Sequence, residues 1–216
     1  MVKQQSASSP EQQEGEGISR RSLCIGTGAA LVTLGLGGLK YLPQTPVVRP
    51  PGGQDEALML ANCVRCQKCY EACPHHVIKP AHIEDGIIGM RTPQMDFTDS
   101  FCTFCVEENN GMPLCAQVCP TGCFDLKAAA KGPENIIGRA YLDQDLCLAY
   151  MLIGCRFCYD ACPYEALELD EYNRPYLIPD LCNGCGACEA VCVSMKEGSI
   201  ASRGSHRAII VHALES

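Results

Sequence analysis

The chain has 216 residues, 18 of them cysteine, no tryptophan and a formal net charge of −8. That acidic balance excludes the basic electrostatic footprint of a nucleic-acid binder, and an aromatic content of 6% leaves too little bulky side chain for one large conventional core. Cysteine above roughly 8% in a short chain implies a disulfide scaffold or a metal protein, so the question is what the cysteines hold.

Residues 1–21 are polar and rich in Gln, Ser, Glu and Gly, and they end on the pair Arg20-Arg21. No charge follows between Leu23 and Leu39, where a soluble core helix would carry a polar stripe. Arg20-Arg21-Ser22-Leu23 with this run resembles a twin-arginine export signal. The run is at the short end of what crosses a bilayer and no small-x-small cleavage site follows it, so residues 1–42 are expected to be a signal or an uncleaved membrane anchor helix. Pro43, Pro46, Pro50 and Pro51 predict an extended linker over 43–55. A cysteine-rich domain is expected over 56–200, and a polar tail over 201–216.

Within that domain the cysteines fall into four groups of four. The first is Cys63-x2-Cys66-x2-Cys69-x3-Cys73 followed by Pro74, and the second is Cys102-x2-Cys105-x9-Cys115-x3-Cys119 followed by Pro120. The third is Cys147-x7-Cys155-x2-Cys158-x3-Cys162 followed by Pro163. The fourth is Cys182-x2-Cys185-x2-Cys188-x3-Cys192, with Val193 in place of the proline. A loop of this spacing turns three thiolates inward onto one iron–sulfur cluster, while the fourth cysteine, three residues on, heads for the cluster of a partner motif. Proline, with its fixed φ and missing N–H, then carries the chain away, and the small Gly184 and Gly186 suit close backbone approach. Four quartets thus imply four [4Fe-4S] clusters with these sixteen cysteines as iron ligands. The fold class expected is α+β, with tandem bacterial-ferredoxin-like two-cluster modules forming two pseudo-symmetric units.

Short strands are expected between the motifs. Ala166–Asp170, a turn over Glu171–Arg174, and Tyr176–Ile178 read as a hairpin delivering Cys182. Gly138–Cys147 echoes Pro175–Cys182, so the third and fourth motifs repeat one unit. Neither disulfides nor zinc ribbons require four such spacings, each with its displaced fourth cysteine. Cys24 and Cys123 are left over and read as inert thiols, Cys123 as a small buried hydrophobe. His75 and His76 read as turn residues, and Tyr150 and Tyr164 as packing over the clusters. Outside the motifs stands no nucleophile–base constellation, phosphate loop or nucleotide fingerprint, which points to an electron carrier without its own catalytic residues.

Arg20-Arg21 and its apolar run, Arg49-Pro50-Pro51-Gly52, Cys63-Val-Arg-Cys66-Gln-Lys-Cys69, the long-gapped second and third motifs and the closing Cys192-Val193 occur in that order. This resembles the NapG/MauM-type ferredoxin-type proteins of periplasmic nitrate reductase and methylamine-utilisation systems. The resemblance implies transfer of electrons through four clusters, from a membrane quinol-oxidising iron–sulfur partner to a periplasmic molybdenum reductase or c-type cytochrome, with no nucleic acid involved. The alternative it leaves open is the iron–sulfur subunit of a molybdopterin oxidoreductase or hydrogenase. Related four-cluster subunits imply nested pairing, second motif with third and first with fourth, and that is the expectation. The 19 residues between Cys162 and Cys182, a ferredoxin-like distance, favour neighbour pairing instead. Placement on the extracytoplasmic face requires clusters assembled before export, which a route for folded cargo allows. The acidic chain would dock on a basic surface.

Overall fold

Asp55 accepts the backbone N–H of Leu58 at 2.9 Å and so caps the first helix, α1 (Glu56–Asn62), which buries Met59. The computed structural model describes Arg21, residues 24–28, 30–32, 46–194 and 207–214, in two units, Met1–Pro43 and Gln44–Ser216. Of the expected signal, Arg20 and much of the apolar run lie outside the described residues; Arg21, 24–28 and 30–32 are helical and exposed. Among the described residues no helix is long and apolar enough to cross a membrane.

The second unit is two like modules in sequence. In the first, α2 (Lys68–Ala72) follows the opening cysteines, β1 (Ile78–Pro80) pairs antiparallel with β2 (Pro93–Met95), and α3 (Val106–Asn109), α4 (Leu114–Gln117) and α5 (Leu126–Ala129) complete it. The second opens with β3 (Arg139–Leu142) and α6 (Phe157–Asp160). The hairpin β4 (Leu167–Leu169) and β5 (Pro175–Leu177) follows, then α7 (Ala187–Ala190) and β6 (Ile209–His212). In each module a hairpin joins the two cysteine motifs, and the short helices after them pack together, α2 on α4 and α6 on α7. The hairpin over 166–178 stands where its pattern predicts, because Asp170 accepts the N–H groups of Tyr172 and Arg174 and pairs with the Arg174 guanidinium. The repeat echo is also structural: β3 ends five residues before Cys147, and β5 five before Cys182.

The modules differ at their outer edge. The second closes with β3 paired antiparallel to β6, Leu142 opposite Ile209. The first has α1 and α5 on either side of its motifs instead, and Asp125, the N-cap of α5, donates its N–H to Gly52 O at 2.7 Å in the segment before α1. The sequence explains the exchange: Glu-Ala-Leu-Met-Leu-Ala-Asn favours helix, whereas Ile-Ile-Val-His at 209–212 is β-branched.

Two segments depart from the sequence expectation. The stretch read as a linker is built into the domain: Val48, Arg49, Pro50 and Pro51 are buried, and Val48 O accepts the N–H of Met95. Arg49 donates to Glu56, to Thr92 Oγ1 at 2.8 Å and to Pro93 O at 2.7 Å, tying this segment to α1 and β2. Prolines here fill space between elements. The segment read as a tail contains β6, with Ala208, Ile209 and Val211 buried. Arg207 donates to the carbonyls of Phe97, Thr98 and Glu189, so this strand also fastens the first module to the second.

Candidate metal centres

The sixteen thiols gather around four cavities. Site I is lined by Cys63, Cys66, Cys69 and Cys119, with the left-over Cys123 also on its wall, and site II by Cys73, Cys102, Cys105 and Cys115. Cys162, Cys182, Cys185 and Cys188 line site III, and Cys147, Cys155, Cys158 and Cys192 line site IV. Each takes three thiols from one motif and the fourth from the other motif of the same module. This is neighbour pairing, and it corrects the nested expectation. The hairpins β1–β2 and β4–β5 are the cause, since each folds the chain back at once and sets the two motifs it connects side by side.

The cavities fit one common guest. Their volumes are closely matched, about 330, 320, 320 and 330 Å³ in the order I to IV including their open mouths. Among the described residues no three His, Cys, Asp or Glu form the tight group that a single metal ion needs; the thiols are spaced around a larger volume. Backbone N–H groups reach the sulfurs, from Phe104 to Cys102 at 3.4 Å, Ala140 to Cys182 at 3.4 Å and Ala166 to Cys162 at 3.3 Å. Such donors offset the negative charge of cluster-bound sulfur.

Backbone shape repeats around the sites. Arg65 and Gln67 in the first motif adopt left-handed φ of 56° and 69°, and Gly184 and Gly186 in the fourth adopt 80° and 84° at the same places. Holding a non-glycine residue there costs of order 1–2 kcal/mol, so the loop around site I is kept in this conformation against local preference. A Cβ at Gly186 would lie 2.0 Å from the Phe97 ring, so the tight approach expected at that glycine is to a side chain of the other module. Three residues after the displaced cysteine the left-handed turn recurs, at His76, Gly122 and Glu165. His75 pairs with Glu108 at 2.7 Å and stacks on Phe101, consistent with its reading as a turn residue. Tyr164 borders site III, and Tyr150 packs against the group of Cys147, Ala149 and Ala208 at site IV while donating to Pro175 O under the Arg174 guanidinium.

Burial pushes the thiols of Cys69 and Cys158 up to about 12 and that of Cys185 up to about 11, with neighbouring cysteines adding to the rise in each case. It raises Cys102, Cys115 and Cys188 as well. Thiols this reluctant to ionise become thiolates only beside a strongly cationic partner, as iron in a cluster is. Cys119 is the exception. Burial raises it too, but the N–H and hydroxyl of Thr121 and the N–H and thiol of Cys123 outweigh that and bring it below the ordinary value.

The four cavities form a line. Within each module the helices behind the two sites pack together, α2 on α4 and α6 on α7, so site I adjoins site II and site III adjoins site IV. Sites II and III meet across the module boundary, where the Cys102 N–H donates to Cys185 O at 2.8 Å and the Phe104 and Tyr164 rings meet edge to face. The order is therefore I–II–III–IV, with the third motif's cysteines at the far end.

The structure brings three more residues to the sites, Cys123, which the sequence reading set aside as inert, and Thr121 and Ser194, which it did not single out. Cys123 is buried beside site I with its sulfur 3.3 Å from that of Cys119. Thr121 and Ser194 place hydroxyls 3.6 and 3.2 Å from the sulfurs of Cys119 and Cys192. The signal was present in the sequence, a hydroxyl two residues after the displaced cysteine. Cys24 is exposed in the other unit.

A family model described as a 4Fe-4S dicluster domain matches residues 62–123 and 153–195, one segment in each module. The chain is 34% identical over 180 residues to the ferredoxin-type protein NapG of Escherichia coli, covering 78% of this chain and 75% of that one. It is 35% identical over 150 residues to NapF of the same organism, covering 67% and 79%. To the methylamine utilization ferredoxin-type protein MauM of Methylorubrum extorquens it is 34% identical over 165 residues, covering 69% and 70%. With the repeated motifs, the paired hairpins and the four thiol-lined cavities, these relationships show that the chain belongs to the ferredoxin-type proteins of the NapG, NapF and MauM kind.

Proposed function

We propose that the chain carries electrons outside the cytoplasm through four [4Fe-4S] clusters, from a membrane quinol-oxidising iron–sulfur partner to a periplasmic molybdenum reductase or c-type cytochrome. The observation that supports this most is the arrangement of sixteen thiols around four equal cavities in a line. Bound in such a cavity, a cluster supplies one-electron chemistry, and the protein supplies its ligands, its exclusion of water and its hydrogen bonds. Cys63, Cys66, Cys69 and Cys119 would hold the first; Cys73, Cys102, Cys105 and Cys115 the second; Cys162, Cys182, Cys185 and Cys188 the third; and Cys147, Cys155, Cys158 and Cys192 the fourth. Arg20-Arg21 and the run behind them support export of the folded, loaded chain. The net charge of −8 calls for basic docking surfaces on both partners.

One observation favours a permanent place in a larger redox complex as the second reading. The insertion between Cys147 and Cys155 presents Leu152 and Ile153, 87% and 58% exposed, beside site IV. An apolar surface of that kind suits a lasting partner, and a permanent subunit co-purifies with its catalytic chain where a free carrier does not.

Anaerobic reductive titration of the purified chain, followed by paramagnetic resonance and by iron and acid-labile sulfide assays, tests the reading. About four spins per chain with matching iron and sulfide are expected; a chain holding zinc or disulfides and no spins would contradict it.

A further inference from the structure

The two ends of the line share a feature that its middle lacks. At site I the displaced cysteine, Cys119, has the Thr121 hydroxyl at 3.6 Å and the Cys123 thiol at 3.3 Å from its sulfur. At site IV the displaced cysteine, Cys192, has the Ser194 hydroxyl at 3.2 Å. The corresponding positions at sites II and III are His75, engaged with Glu108, and Tyr164. The sulfur of Cys162 takes instead the backbone N–H of Ala166.

The direction of these bonds follows from the ligand role. A cysteine that ligates iron has no proton, so its sulfur can only accept. Ser194 is built for the complementary part: it is 2% exposed, and its oxygen already accepts the N–H of Ala208 at 2.7 Å. Its one hydrogen is thereby left for Cys192. Ala208 lies just before β6, so the C-terminal strand holds the donor in place.

A hydrogen bond to a ligand sulfur stabilises the reduced, more negative cluster more than the oxidised one, and so raises its potential. We infer that Ser194, and Thr121 with Cys123, are positioning residues that raise the reduction potentials of the clusters of sites IV and I above what each would have without them. Exposed residues stand at both sites, Cys66 and Val64 at site I and Phe157 and Leu152 at site IV.

This inference rests on the four-cluster reading, and potentiometric titration monitored by paramagnetic resonance separates the two. In Ser194→Ala the reduced-to-oxidised ratio of one cluster should fall about tenfold at a fixed potential, about 59 mV for one electron, while iron content and the other midpoints stay put. Ser194→Thr should restore it. Thr121→Val, near the surface, and Cys123→Ala should each lower a second, different midpoint, and they carry the test should Ser194→Ala lose iron. Unchanged midpoints in variants that retain their iron, or equal shifts of all four, would overturn the inference and leave the cluster reading standing. An unsubstituted chain without iron or paramagnetic signal would overturn both.

Discussion

Gly186→Ala is expected to destabilise the second unit by about 4 kcal/mol, from a left-handed φ that alanine resists and from overpacking. The φ at this position is 84°, and a Cβ there would meet three Phe97 ring atoms at 2.0 to 2.5 Å. Phe97 has no room to retreat, being 3% exposed and flanked by its own carbonyl's bond from Arg207. Against a typical total of 5–15 kcal/mol for a domain, such a loss should appear as a large drop in the denaturation midpoint and as iron lost from site III. Gly122→Ala provides the contrast. Its φ is 64° but nothing lies within 4 Å of a Cβ, and His76 and Glu165 occupy the equivalent place in the other motifs. That substitution should cost only about 1 kcal/mol. Combining Gly186→Ala with Phe97→Ala should cost less than the sum of the two single changes; strict additivity would show that the ring is not what forbids the side chain.

Removal of site II should divide the line electrically, a larger effect than removal of an end. In Cys73→Ala/Cys102→Ala, site I loses its neighbour in the series while sites III and IV stay adjacent, because Cys102 and Cys185 sit on the II–III boundary. The fully reduced variant should show one paramagnetic signal free of the broadening that neighbouring spins impose on each other, together with an interacting pair. In Cys63→Ala/Cys119→Ala, which removes site I, the remaining three should all still interact. Both variants should keep about three quarters of their iron. Identical spectra from the two would show that the cavities are not arranged in a line.

The candidate ligands were legible in the sequence because the geometry that makes them is local. Three thiols within seven residues in the first and fourth motifs, or within about a dozen in the second and third, and a fourth after three intervening residues, need no distant partner to be recognised. Their pairing depends on what joins the motifs, and there the 19-residue spacing between Cys162 and Cys182 was a better guide than analogy with larger four-cluster subunits. The hairpin over 166–178 announced itself through Asp170 and its turn; β1–β2, with its intervening residues 81–92, did not. Strand β6 was missed because its partner, β3, lies about seventy residues away, and a four-residue β-branched run near a polar segment gives little local signal. Pro50 and Pro51 misled for a related reason. Proline-rich sequence reads the same whether the chain crosses solvent or is clamped, as here, by the buried guanidinium of Arg49. The roles argued for Thr121 and Ser194 were half legible: the hydroxyl two residues after the displaced cysteine stands in the sequence, but its contact with a sulfur is made only by the folded turn.

The central claim is that each module closes two four-cysteine sites within itself, and iron content of paired cysteine variants tests it most directly. Cys63→Ala/Cys119→Ala removes two thiols from one cavity, whereas Cys119→Ala/Cys147→Ala removes one from each of two. Purified anaerobically as full chains, the first should retain about three quarters of the iron of the unsubstituted protein and the second about half. The reverse result, with half lost from the first and a quarter from the second, would place Cys119 with the third motif and contradict the account.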